Sequence, residues 1–538
     1  MFDPNVTVVV LAAAAYFLLM LVIGRVSARG AGTGSQAYFV ASRKLRGFVL
    51  FASVFGTNMT AFVMLGLAGQ TYRLGLGTWG MLAGAVVLTL PIHFYFGYRC
   101  WLVARRYGYT SPAEFYRERY ASPALGVLAF VFFVAWVLPV ILTGIIGSGR
   151  VFEEASRGAI PYWLGALIVT AVVGYYTTVG GMRATAWTNV AQTCIFLSFL
   201  VLAVLWVPAV TGGPGRLFEQ LQAEAPQLLT RSWGAAGWGP ALSFFLLFSM
   251  ANFATPYIWI RMISAQSGQT ARRLATYYPI AVLSTWVPAI LLGLWGAVLV
   301  PGLEGTASDS VIFVLSGELF PTWMVAFGML GLFAIVMSSM DAQALTLSNF
   351  FTVDVLQRYT RLRDSLRVVR SARLFVLGLL VLLYLIALLP LPAVFSLSTF
   401  AFTGFMAFFP LMVGGVLWRR ATRAGALTSL LVGQIVAIAG YLQLYPPVLG
   451  LMPPFWVAVS SSGSFIVVSL LTTPPDSVTV ERFHGEWDRV WRRNPPAGRV
   501  PTREPATETA TETDTETATE TATEVAAADG GRAPSTPA

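Results

Sequence analysis

Stretches of about 20 apolar residues recur along this chain as far as residue 472, and each is long enough to cross the hydrocarbon core of a bilayer as a helix. Apolar residues make up 56% of the 538 and charged residues 11%. Soluble domains carry roughly a quarter charged residues, so this composition needs a solvent other than water. The pattern predicts an all-α polytopic membrane protein of about 13 transmembrane helices. These fall near 6–24, 46–72, 76–104, 122–148, 160–179, 188–210, 239–262, 276–300, 321–355, 371–390, 394–418, 424–444 and 453–472. The first stretch is long for a signal-peptide core, and Arg25 and Arg29 follow it rather than precede it. It reads as a retained helix with its N-terminus outside.

Charge gives a second test. With that orientation, 23 basic residues fall in cytoplasmic loops and five (Arg73, Arg150, Arg157, Arg216, Arg231) outside, with the remaining seven of 35 in the tail. So steep a bias supports an odd helix count and a cytoplasmic C-terminus. It also accounts for the net charge of +10 without nucleic acid as a partner; the bilayer is the partner this charge serves. Cys100 and Cys194 are too few for a disulfide framework or a metal cluster. The tail from Pro474 differs in kind. Residues 479–493 hold Phe483, Trp487 and Trp491 among arginines and suit a short helix on the inner leaflet. The Thr-Glu-Thr-Ala run at 506–524 cannot bury a core and reads as disordered.

Polar groups inside lipid are where such a chain shows its function. In the second helix, Gly56, Thr57, Asn58 and Thr60 lie near mid-membrane. Gly weakens a helix, and Ser, Thr and Asn compete for its backbone hydrogen bonds. The expectation is a helix broken at its centre with free carbonyls facing a cavity, as discontinuous helices in transporters hold solute and ion. The alternative is that these small residues only permit close packing. In the ninth helix, Ser338, Ser339, Asp341 and Gln343 fall within two turns. Asp341 is the one acidic residue placed deep in a span, and an unpaired carboxylate there costs at least ~3 kcal/mol. No basic residue is expected at its depth, so a cation, a proton or a hydrogen-bond donor must satisfy it.

At these residues the chain resembles the sodium:solute symporter family, whose core is the leucine-transporter fold. Tyr176-Thr-Thr-Val-Gly-Gly-Met-Arg-Ala-Thr-Ala-Trp-Thr-Asn-Val-Ala-Gln192 resembles the family pattern Tyr-Thr-x-x-Gly-Gly-x-x-Ala-Val-x-Trp-Thr-Asp-x-x-Gln. Further matches are Thr110-Ser-Pro-Ala-Glu-Phe-Tyr-Arg-Glu-Arg-Tyr120, Trp259-Ile-Arg-Met-Ile-Ser-Ala265, the Ser338-Ser339 helix ending Thr352-Val-Asp354, and Gly414-Gly-Val-Leu-Trp-Arg-Arg-Ala-Thr422. The resemblance implies two inverted five-helix repeats with broken helices, at 46–210 and 239–418, joined by an extracellular loop at 211–238. Residues 1–45, with the first helix, and 419–473, with the last two, would be peripheral, and 474–538 a cytoplasmic tail. It further implies a sodium site built from the backbone carbonyls of Gly56, Met59 and Ile335 and the hydroxyls of Ser338 and Ser339. A solute would lie beside it, near Thr57, Asn58, Thr60, Val63 and Asn252.

One departure stands out. The Asp of the family pattern is Asn189 here, while Asp341 stands where relatives that bind an additional sodium offer a hydroxyl. On this resemblance the carboxylate would have changed helices, and Asp341 and Asn189 join the expected sodium set on that ground. The expected activity is symport of a small organic solute with sodium by alternating access in a cell membrane. The apolar surroundings at Phe62, Val63 and Met64 favour a short monocarboxylate or an apolar amino acid over a sugar. The alternatives are a proton-coupled or uncoupled transporter of the same fold, raised by Asn189, and a non-transporting membrane sensor. An enzyme is not expected, since no Ser/His/Asp or metal-ligand constellation occurs and the only histidines are His93 and His484. No cofactor is expected beyond sodium as coupling ion.

Overall fold

A backbone in lipid must satisfy its own polar groups. Among the described residues the regular structure is accordingly helical, apart from one β-bridge between Leu45 and Ala265. The computed structural model describes residues 4–29, 34–88, 91–230, 238–360, 364–390, 392–446, 448–485 and 487. The first helix, α1, is Pro4–Arg29. The next is interrupted: α2, Gly47–Asn58, stops, and α3 resumes as Phe62–Leu67 and Ala68–Leu74. Met59 between them is extended (φ −81°, ψ 102°). Thr60 restarts the helix, its hydroxyl accepting from the Phe62 N–H at 3.1 Å and its carbonyl from the Val63 N–H at 3.0 Å. The expectation of a break among Gly, Thr and Asn is therefore met, and local side-chain competition with the backbone is its cause.

Trp79–Val87 (α4), Tyr98–Tyr107 (α5) and Pro123–Ala155 (α6) follow. Tyr162–Thr211 (α7) covers 50 residues, about 75 Å if straight, against a core of about 30 Å. It must therefore turn, and it does so at Gly181, whose φ of 54° and ψ of −145° belong to a region only glycine occupies comfortably. A Cβ at Gly181 would lie 2.5 Å from the Tyr38 carbonyl oxygen. Gly181→Ala is expected to cost at least about 2 kcal/mol, read as a lower midpoint and poorer recovery of monodisperse protein in a fluorescence-detected thermal series.

The second interrupted helix is Gly239–Ala254 (α8) with Pro256–Ile263 (α9), bent by 46° around Thr255. Then come Gly268–Leu299 (α10), Thr322–Asn349 (α11), Ser365–Ala387 (α12), Val394–Met406 (α13), Phe409–Leu417 (α14), Arg423–Tyr441 (α15) and Pro453–Leu471 (α16). By length and hydropathy the described residues hold ten spans, or eleven if the bent pair is one. The expected count of thirteen differs because α7 enters as one helix despite its turn at Gly181. Phe62–Tyr107 likewise enters as one despite its interruption at Gly75 (φ 58°, ψ −139°).

α7 packs along α11 and α1 and also meets α2, while α11 contacts α6 and α1; the middle of the molecule is thus the α2–α7–α11 junction. Two of the motifs serve architecture at its basic end. Ser111 and Glu114 form a reciprocal cap on the short helix Pro112–Arg119, satisfying its free N–H groups. The Ser111 hydroxyl also donates to Asp354 at 2.7 Å, and Arg119 donates to the carbonyls of Gly415 (2.6 Å) and Trp418 (3.0 Å). The Thr110–Tyr120 and Gly414–Thr422 segments are thereby one clamp. The beginning of the tail departs from expectation: Phe483 is 2% exposed, against Tyr109 and Phe115, and Arg482 pairs with Glu118 at 3.0 Å. It packs on protein rather than on lipid because Tyr107, Tyr109 and Phe115 offer it an aromatic seat. Trp487 packs edge-on against Tyr95 and Tyr98, while Trp491 and the 506–524 run lie outside the described residues.

Candidate ion and solute site

Breaking α2 frees carbonyls that a continuous helix would use, and the structure brings α11 to them. The Ser338 hydroxyl lies 2.8 Å from the Gly56 carbonyl oxygen and 2.9 Å from that of Ile335. Three oxygens of the expected sodium set therefore share one spot between α2 and α11. Ser339, whose hydroxyl donates to the Val336 carbonyl at 2.9 Å, is the next residue, and both serines are buried. Met59 supplies the extended residue of the break. Gly56 also lets α7 come close on the same helix: a Cβ there would sit 2.8 Å from the Thr193 hydroxyl. Hard neutral oxygens from an unwound segment and two hydroxyls are the donor chemistry of a small alkali cation.

Asn189, fully buried on the second half of α7, faces this spot. Its amide donates to the Ser338 carbonyl at 3.1 Å and to the Thr57 hydroxyl at 3.2 Å, and reaches the Ser53 carbonyl at 3.5 Å. Its own carbonyl oxygen is buried with no hydrogen-bond partner among the described residues. Thr57, expected beside the solute, accepts from Asn189 on α7, whereas Asn58 reaches α10.

Asp341 overturns one expectation. By sequence no base lies at its depth, and Arg261, at the end of the 239–262 span, counts among the cytoplasmic basic residues. Arg261 is in fact 1% exposed, and its Nη2 meets the Asp341 carboxylate at 3.3 Å. The guanidinium also donates to the hydroxyls of Ser53 on α2 and, at 3.4 Å, of Thr185 on α7. Asp341 accepts further bonds from the Tyr176 hydroxyl (3.1 Å) and, more weakly, from Thr188 (3.5 Å). The reason is geometric: the bend at Thr255 turns α9 inward, so a residue counted as loop in the sequence lands in the core. Buried charges are paired in this way because an isolated one is costly in lipid or protein. Tyr176, first residue of the family-like motif, holds both the pair and the Met337 carbonyl (3.3 Å). Arg261 and Tyr176 are members of this buried cluster that sequence reasoning misses, although both stand in the motifs that carry the family resemblance.

The expected solute residues divide. Asn58 and Asn252, half-buried at the two helix breaks, both reach the Tyr278 hydroxyl on α10. Tyr278 stacks on His93 with ring centroids 5.5 Å apart. Thr60 and Val63 are buried in the restart of α3, where the Thr60 oxygens serve the backbone. Beyond them Phe62 sits among Phe248 (5.3 Å), Phe395 (5.6 Å), Trp286 (5.8 Å) and Phe402 (6.1 Å). The Trp286 N–H is buried without a partner among the described residues. A cavity of about 680 Å³ between α2, α7 and α10, lined by Phe51, Leu197 and Tyr277, contains none of these polar groups. No group of three or more His, Cys, Asp or Glu suited to a resident metal occurs among the described residues.

This architecture has relatives. Residues 38–433 match the sodium:solute symporter family. The chain belongs to that family. It is a transporter rather than an enzyme, and its family couples transport to sodium. The osmoregulated proline transporter OpuE of Bacillus subtilis is 26% identical over 495 residues, covering 89% of this chain and 97% of that protein. The sodium/pantothenate symporter of Escherichia coli is 28% identical, covering 80% and 89%. The solved structure of a sodium-coupled sialic acid symporter superimposes with a TM-score of 0.72 at 18% identity, over 87% of this chain and 99% of that one. At that identity it shows a shared fold.

Proposed function

We propose that this symporter carries an apolar amino acid or a short monocarboxylate, with sodium held between α2 and α11, and releases both at its basic, cytoplasmic end. The observation that carries the reading is the meeting of the Gly56 and Ile335 carbonyls on the Ser338 hydroxyl, beside a break that begins after Asn58. Solute and ion then share the α2 break. Binding of one orders the backbone that the other needs, and this differential affinity is what couples them. Asn58, Asn252 and Tyr278 supply the polar side of the solute site and the Phe62 cluster the apolar side. The unpartnered Trp286 N–H, packed on Phe62 and Phe248, suits an acceptor such as a carboxylate oxygen. The names of the proline and pantothenate carriers fit an acid, and the scarcity of side-chain polar groups fits a small one.

The test is uptake by the purified chain in liposomes under a sodium gradient, a proton gradient or neither, with proline, other apolar amino acids, short monocarboxylates and hexoses offered in turn. Sodium-driven accumulation of an acid supports the reading; proton-driven accumulation replaces it. Accumulation of hexoses alone removes the substrate assignment. In the same assay Asn58→Ala is expected to raise the half-saturating solute concentration about tenfold. That corresponds to roughly 1.4 kcal/mol for one hydrogen bond in a closed site. The sodium dependence should change less than the solute dependence.

A further inference from the structure

We propose that the cavity between α2, α7 and α10 holds one anionic glycerophospholipid, drawn from the leaflet at the basic end of the protein. The site is independent of which solute or ion is carried. Its volume of about 680 Å³ lies within the range of small-molecule sites, about 300–1,000 Å³. The wall is apolar, with Phe51 and Phe55 from α2, Leu197 from α7, and Leu274 and Ile280 from α10. The cavity opens sideways rather than into the bundle, since Phe48, Tyr277 and Ile280 of its lining are each more than half exposed. At bilayer depth such side chains meet hydrocarbon, so an acyl chain fits between them and a water-soluble solute does not. The inner wall reaches the helix of the ion site: Thr193, which lines the cavity, donates to the Ala52 carbonyl of α2 at 3.2 Å. A lipid seated there packs on the half of α2 that ends at the break.

Charge is confined to one end of this groove. The β-bridge between Leu45 and Ala265, with the Gln266 N–H donating to the Leu45 carbonyl at 3.0 Å, ties the segment before α2 to the turn before α10. Lys44 and Arg46 flank Leu45, and Arg272 and Arg273 stand in the second turn of α10. Arg272 is engaged by the face of the Tyr98 ring, 4.1 Å away. Arg273 lines the cavity and is exposed, and its side chain has no hydrogen bond, ion pair or ring contact with a described residue. The same holds for the side chains of Lys44 and Arg46. No acidic residue occurs in 34–58, 188–200 or 264–284, the stretches that form the groove and its mouth. An apolar trough with unpaired positive charge at one end is complementary to a ligand that is anionic at its head and apolar along its length. A phosphodiester is the anion that a guanidinium binds best, and anionic lipids gather in the cytoplasmic leaflet, where this basic end lies in the reading above.

The experiment is native mass spectrometry of the purified full-length chain in nonionic detergent, offered phosphatidylglycerol and phosphatidylcholine of matched acyl chains in equal amounts. The wild-type chain is expected to retain one lipid and to prefer phosphatidylglycerol. Arg273→Gln, at an exposed position without a partner to lose, is expected to lower that preference about fivefold, the worth of one basic contact to an anionic lipid. Leu197→Trp, which fills the trough, should reduce retention of both lipids. Arg370→Gln, on α12 away from the groove, should leave the preference unchanged. No preference in the wild-type chain would overturn the inference. So would an equal loss in Arg370→Gln and Arg273→Gln, which would mean general surface charge. Displacement of the lipid by glycerol 3-phosphate, which has the anion but no acyl chain, would make this a free-anion site and remove the lipid assignment. A particle of two chains that excludes lipid would assign the groove to a second copy instead.

Discussion

Asp341→Asn is expected to lower sodium-driven uptake at least a hundredfold while leaving the chain inserted and folded enough to purify. The substitution keeps the shape and the acceptor oxygen but strands the Arg261 guanidinium, a buried charge next to the ion site. Breaking a buried pair from one side costs about 3–5 kcal/mol, which is roughly two to three and a half decades in an equilibrium constant at about 1.4 kcal/mol per decade. Part of this will be lost stability and part weakened sodium binding, because the stranded cation repels the ion. Arg261→Gln added to Asp341→Asn removes the stranded charge and should recover most of the thermal stability. Asp341→Asn with Asn189→Asp is the more informative pair. Asn189 and Arg261 both touch Ser53, so a carboxylate at 189 would stand within reach of the same guanidinium. Partial return of uptake in that double variant is the expected result. No return at all would show that the two positions are not interchangeable and would end the idea that the charge changed helices.

Ser338→Ala carries the second large effect, and a different signature. It deletes one ligand of the proposed ion and the hydroxyl that joins α11 to the Gly56 carbonyl across the break. Losing one hydrogen-bonding or coordinating group to a charge costs about 1.5–3 kcal/mol, so the sodium concentration for half-maximal uptake should rise between tenfold and a hundredfold. The solute affinity at saturating sodium should change far less, since the site beside Asn58 is intact. Measured as sodium titrations of initial uptake rate, this separates an ion ligand from a solute ligand. Equal loss of both affinities would mean that Ser338 shapes the break rather than holding the ion.

Several parts of this molecule are legible in the amino-acid sequence. The interruption at Gly56–Thr60 can be read because its cause is local: the residues that break the helix are the residues in the break. The serine pair on α11 can be read because hydroxyls beside a carboxylate are rare in lipid. The second break is harder to see. Ala254-Thr-Pro256 lies in an otherwise ordinary apolar run, and only Pro256 at the start of α9 hints at the bend. That bend is what brings Arg261, a loop residue by sequence, to the side of Asp341. Thr57 escapes the sequence for a related reason, since successive residues of α2 meet different neighbours, α7 at Thr57 and α10 at Asn58, and nothing local says which neighbour each will meet. Phe483 suits lipid by sequence because its partners Tyr109 and Phe115 lie more than 360 residues earlier.

What the sequence determined by itself is the solvent, the helices and the chemistry in stock. Apolar runs of bilayer length force the backbone to satisfy itself as helix, and a small set of oxygen-bearing residues in those runs marks where an ion can be held. Which of those groups meet was decided only in three dimensions. Ser338 finds the Gly56 carbonyl across 282 residues, and Arg261 finds Asp341 across 80. Pairings at that separation depend on how bent helices pack, and no local rule encodes them. The charge that the sequence left unpaired is therefore paired by the fold.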